Sequence, residues 1–262
     1  MDELLPGNDD SRRLIIREWL ATHPHPTNVQ LAESGYVAPH WPEPWGLGAD
    51  PIHQLIIDDE LSRAGVSRPS NQIGIGWAAP TIIFAGTQEQ KDRYVMPALT
   101  AEEIWCQLFS EPGAGSDLAS LSTRAVRDGD DWILNGSKHF ISGPCMPDFA
   151  IVFAATGEDE TPRGPRKRVT AFLVDVGTDG FDCRQGTRCV SYRGYKTFEL
   201  HFDDVRLGAG QVLGEEGLGL ELAGFTPLLF SELNQSAAET YMINRADLNL
   251  IPVGDIYSLT NE

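Results

Sequence analysis

The chain has 262 residues, 41% of them hydrophobic and 9% aromatic, and carries a formal net charge of −18. That composition fits a globular protein with one large or two ordinary cores and excludes a disordered chain. With 38 acidic groups against 20 basic ones, the chain would repel phosphate backbones, so nucleic-acid binding is not expected. No run of eighteen apolar residues occurs, so no membrane insertion is expected. The opening MDELLPGNDDSRR lacks an apolar signal core, and its acidic character does not suit a transit peptide. Cys106, Cys145, Cys183 and Cys189 form no CxxC pair and no metal spacing; they read as free thiols in a reducing, cytoplasmic setting. His23-Pro-His25 has no further ligands nearby, so no metal site is expected.

In chain order, SRRLIIREWLA over 11–21 has the spacing of an amphipathic helix. Residues 39–51, rich in proline and glycine, read as loop. Helical spacing returns over 52–66, where Ile52, Leu55, Ile56, Leu61 and Ala64 can line one stripe. Residues 73–85 are apolar all round and contain Pro80, which predicts a buried, kinked helix. Thr87 and Gln90 form a capping-box signature opening a helix over 88–99.

After Trp105 the period changes to two. Strands are expected at Trp105–Phe109, 122–127, 132–135, 149–155, 169–176 and 197–202. Asn135-Gly136 is a turn signal. Gly157–Arg168, with four bases, reads as an exposed flexible hairpin tip. Helices first and strands second predict an α+β chain with segregated layers: an N-terminal all-helical domain (1–104), a mostly antiparallel β middle domain (105–216) and a short C-terminal helical stub (217–262). No G-x-G-x-x-G lies between a strand and a helix, so a nicotinamide-binding fingerprint is absent.

The chemistry concentrates in SEPGAGSD, from Ser110 to Asp117, and LNGSKHFIS, from Leu134 to Ser142. The first breaks a strand with proline and glycine and offers backbone N–H groups and small hydroxyls to a ligand. Together, at this spacing, they resemble the acyl-CoA dehydrogenase family, whose pattern is [ST]-E-P-x-A-G-S-D followed by x-L-N-G-x-K-x-[WF]-I-[ST]. GTQEQKDRYVMPAL upstream and FELHFDDVRL and LGEEGLG downstream extend the likeness over about Ile52–Leu222.

The resemblance implies an oxidoreductase of fatty-acid metabolism with FAD as cofactor, acyl-CoA as substrate and a flavoprotein as electron acceptor. It also implies a homo- or hetero-oligomer. Gln107, Phe109, Ser110, Gly115, Ser116, Phe140 and Ser142 would contact the flavin, and Ser116 also the pantetheine arm. Phe140 takes the place of the family's stacking aromatic, usually Trp, and Ser142 that of a hydroxyl near N5, usually Thr. The family continues into a helical third domain that holds the catalytic glutamate, which leaves the base in this sequence unknown. Glu232, in LFSEL, lies nearest to one family variant of that base. It sits about two residues late and lacks the following Arg, so a solvated surface role is expected. A non-catalytic binding chain, a subunit whose partner supplies the base, and a truncated product are the alternatives.

Overall fold

In the computed structural model the described residues are 5–115, 117–143, 145–161, 164–188, 196–220 and 222, with the strand pairs 230–231 and 252–253. Five α-helices come first: α1 Ser11–Thr22, α2 Asn28–Glu33, α3 Pro51–Arg63, α4 Ala79–Ala85 and α5 Gln88–Thr100. Their starts follow from local chemistry. Asp10 accepts from the Arg12 N–H at 2.9 Å, and Asp50 from the His53 N–H at 2.8 Å. Thr87 and Gln90 complete the expected capping box, each side chain accepting from the other's backbone N–H; such caps satisfy donors that have no partner within the helix. The short α2, also opened by a capping box at Thr27 and Gln30, lies in a stretch for which no helix is expected from periodicity.

Pro80 is accommodated by a change of helix type rather than by a simple kink. Gly74–Ala78 forms a π-helical turn that runs into α4, with Pro80 in the first turn of α4. The Ala79 N–H reaches back to the Gly74 carbonyl, a wider loop that absorbs the missing proline N–H. The expectation of full burial does not hold for this segment. Ala78, Ala79 and Ile82 are buried, but Trp77 and Phe84 are 56% and 75% exposed, because no described residue covers their side of the helix.

The strands are β1 Trp105–Leu108, β2 Arg124–Asp128, β3 Asp131–Gly143, β4 Phe149–Thr161, β5 Gly164–Asp175, β6 Phe181–Arg188, β7 Lys196–Leu207 and β8 Val212–Leu213. They form one sheet in the order β6-β7-β3-β2-β4-β5-β8, with β1 also paired to β4. The β1–β4 and β2–β4 pairs are parallel and the others antiparallel. In β4, Phe149, Ile151 and Phe153 pack in the core that the sheet shares with the helices, whereas Ala150, Val152 and Ala154 face a second core with Trp132, Leu134, Leu200 and Phe202. The near-continuous apolar run of β4 follows from this burial on both faces.

Two sequence expectations change here. Asn135-Gly136 does not turn the chain; β3 passes straight through it with a register shift against β7 between Leu134 and Gly136. Gly136 has φ +145°, and a Cβ there would lie 2.7 Å from the Thr123 Cα, so the glycine serves a bulge and a close backbone approach. Of the basic stretch 157–168, the described residues 157–161 and 164–168 extend β4 and β5, whose ladder continues to Thr161 and Gly164, while the tip at 162–163 lies outside the described residues. Arg168 pairs with Asp159 and Glu216, and the Lys167 ammonium donates to the Ser120 and Leu121 carbonyls. In the C-terminal region Gly219 and Leu220 are helical, and Phe230–Ser231 pairs in parallel with Pro252–Val253. The helix expected from 231 to 244 otherwise lies outside the described residues.

Candidate functional site

The two motif halves, whose first residues Ser110 and Leu134 are 24 positions apart in sequence, meet where the chain leaving β1 passes β3, beyond the part of β3 that pairs with β2. Phe109 leaves β1 half-buried and stacks on Phe153, with ring centroids 4.6 Å apart and planes inclined by 21°. The Ser110 carbonyl accepts from the His139 N–H of β3 at 3.0 Å. Glu111 then closes a tight turn: its N–H donates to the Ala114 carbonyl at 2.7 Å, and the Ala114 N–H donates back at 3.2 Å. At Gly113 and Gly115 an added Cβ would meet no atom within 4 Å. The loop therefore presents bare backbone to open space.

Glu111 itself turns inward and is 2% exposed. Oε2 accepts from the Ser122 N–H and hydroxyl, both at 2.6 Å. Oε1 accepts from the Thr123 N–H at 3.0 Å and the Lys138 ammonium at 2.8 Å. Lys138, 1% exposed, also donates to the Phe109 carbonyl at 3.3 Å. Burial alone would raise the Glu111 carboxyl pKa, but the donors from Lys138, Ser122 and Thr123 outweigh it and hold the group at about 2. Burial pulls the Lys138 pKa down, and Glu111 opposes that shift. The carboxylate is thus ionised and fully engaged, and it is not available as a proton acceptor.

Just past Lys138 the β3–β7 ladder shifts register again before Ile141. Phe140 lies in the left-handed region at φ 55°, a conformation that costs a bulky residue roughly 1–3 kcal/mol and needs support from its surroundings. Its ring stands 69% exposed, with the His139 ring 4.0 Å away. Ser142, also exposed, follows buried Ile141, and its hydroxyl approaches the Phe140 carbonyl at 3.5 Å. Ser142 and Ile141 line a cleft together with Asn71, Trp105, Cys106 and Phe198, where the helical layer meets the sheet. Trp105 is 2% exposed, and its indole N–H has no partner among the described residues.

Of the expected site residues, the structure thus brings Phe109, Ser110 and Phe140 together, with Ser142 two residues further along β3. Gln107 is half-buried in β1, paired in register with Ile151. Gly115 lies on the exposed loop, and Ser116 and Glu232 lie outside the described residues. Among the described residues no three His, Cys, Asp or Glu side chains form a metal site, and Cys106, Cys145 and Cys183 are free thiols. Glu111 and Lys138 received no role from sequence reasoning. The available signal was one acid and one base embedded in the two motif halves.

Residues 11–102 match the family model "Acyl-CoA dehydrogenase, N-terminal domain", and residues 106–205 match "Acyl-CoA dehydrogenase, middle domain". The acyl-CoA dehydrogenase FadE34 of Mycobacterium tuberculosis is 42% identical over 228 residues, covering 87% of this chain and 31% of that relative. Among solved structures, the ChsE4-ChsE5 complex of M. tuberculosis superposes with a TM-score of 0.62 at 29% identity, covering 83% of this chain and 59% of that one. A glutaryl-CoA dehydrogenase from Mycobacterium smegmatis in complex with FADH2 gives a TM-score of 0.58 at 28% identity, covering 84% and 58%. The chain spans less than two thirds of each of these proteins. By the two domain matches and the fold they predict, it belongs to the acyl-CoA dehydrogenase family.

Proposed function

We propose that this chain holds FAD at the edge formed by Phe109, Ser110 and Phe140, and serves the α,β-dehydrogenation of an acyl-CoA thioester. The carrying observation is the outward, left-handed Phe140, a 69% exposed ring beside the loop that bears Ser110. A large exposed aromatic on a rigid strand is a wall for a flat conjugated ring, and adjacent hydroxyls and bare backbone N–H groups suit a polar ring edge and an anionic tail. The residues present therefore fit the flavin that the family resemblance implies. FAD, when bound, accepts the hydride that leaves the β carbon. Phe140 and Phe109 exclude water from one side of that site, Ser110 and Ser142 orient by hydrogen bonding, and Gly115 permits close approach of the flavin; the contact to the pantetheine arm that the family resemblance implies falls to Ser116, outside the described residues.

The base that takes the α proton is assigned to no described residue. Glu111 is held ionised and fully bonded, and Glu232 lies outside the described residues. This observation favours a second reading, in which a partner subunit completes the site, as a homo- or hetero-oligomer would allow. The two-protein ChsE4-ChsE5 complex among its structural neighbours is consistent with that reading. An electron-accepting flavoprotein would then reoxidise the cofactor, and a cytoplasmic location fits a chain in which no described helix is long and apolar enough to cross a membrane.

The test is spectroscopic. Ser110→Ala is expected to weaken FAD binding or shift the visible band, with a melting temperature close to wild type. An unchanged affinity and spectrum in that variant would remove Ser110 from the site.

A further inference from the structure

We infer that Glu111 and Lys138 are positioning residues that set the flavin-facing edge, fixing Phe109 and Ser110 against Phe140 without touching the cofactor themselves. This inference rests on the flavin reading above. Three bonds cross between residues 109–111 and the second motif half: Lys138 Nζ to Glu111 Oε1, Lys138 Nζ to the Phe109 carbonyl, and the His139 N–H to the Ser110 carbonyl. They engage three consecutive residues, 109 to 111, and two consecutive residues, 138 and 139, so the segments cannot slide past one another by a single residue. On its other side Glu111 takes the Ser122 and Thr123 N–H groups. One carboxylate thereby closes the base of the whole loop from 111 to 123.

The position of Lys138 matters as much as its partners. It is the last residue in ladder register before the shift that ends at Ile141, and two residues later the backbone takes the left-handed turn that throws the Phe140 ring outward. Both groups are 2% exposed or less, and a buried ion pair is often no more stabilising than an apolar pair of equal volume. Its geometric specificity, not its contribution to stability, is what an apolar replacement would lose.

The experiment uses the full chain with Glu111→Gln, Lys138→Met and the double variant. Melting temperature, FAD affinity by fluorescence titration and amide exchange in the FAD-free protein are each measured. The single variants are expected to weaken FAD at least tenfold and to speed exchange at the Ser122, Thr123 and His139 amides. The double variant is expected to regain melting temperature, since no charge is left unpaired, while its FAD affinity stays at least tenfold weak. Recovery of FAD affinity in step with melting temperature would show a merely structural pair and overturn the inference. Unchanged exchange at those three amides would overturn it as well. Absence of FAD binding by the wild-type chain would instead overturn the flavin reading, and the exchange data in the FAD-free protein would still decide whether the pair positions the loop.

Discussion

The helical layer and the motif-bearing part of the sheet both bury charge, but they distribute it differently. Arg13, on α1, donates to Asp59 and Glu60 of α3, both at 2.5 Å, and to the Pro6 carbonyl at 3.0 Å. Glu60 has a second cation in Arg17, at 2.7 and 2.8 Å. The network is redundant, and its members join α1 to α3. Between the motif halves Lys138 is the one cation bonded to Glu111 among the described residues, and every other partner of the carboxylate is a neutral donor. Redundant charges tolerate loss of a member, as suits a scaffold. A single pair with one geometry tolerates none, as suits a site that must present two aromatic rings in fixed relation.

Breaking that contrast gives the largest expected effect. Lys138→Met leaves the buried Glu111 carboxylate without its cation and is expected to cost about 3–5 kcal/mol in urea unfolding at neutral pH. The next effect is pH dependence. The Glu111 pKa is depressed from 4.5 to about 2, so its share of stability is complete above 4.5 and is lost as pH falls toward 2. That share is about 3 kcal/mol. Protonation also relieves the unpaired carboxylate in Lys138→Met, so unfolding curves of wild type and variant are expected to converge between pH 4.5 and 2. A constant gap would mean that Glu111 does not titrate in that window. The smallest effect belongs to the redundant network. Arg13→Met leaves Glu60 paired with Arg17 and is expected to cost about 1–3 kcal/mol, with FAD affinity unchanged.

Much of this architecture is legible in the sequence because local chemistry decides it. Thr87 and Gln90 start α5 whatever surrounds them, and the alternation of Phe198, Leu200 and Phe202 with Glu199 and His201 marks a strand with one buried face. What was not legible depends on distant partners. Asn135-Gly136 has the letters of a turn, but pairing with β7 and the Asn135–Asp204 bonds across that pair keep β3 continuous. Trp77 and Phe84 have the letters of a core, yet no described element covers them. FDCRQGTR over 181–188 gives little period-2 signal because much of it is partly exposed, although it forms β6 against β7. The candidate site divides in the same way. Its motif residues could be named from sequence, but the buried pair that joins them spans 27 positions and is visible only in three dimensions.

The most direct test of the central claim is FAD titration of the full chain alongside Phe140→Ala, followed by fluorescence. The site described here predicts saturable binding by wild type, weakened in Phe140→Ala with no change in melting temperature beyond a few degrees. Equal affinity in the two proteins, or no binding in either, would contradict a flavin site at the meeting of the two motif halves.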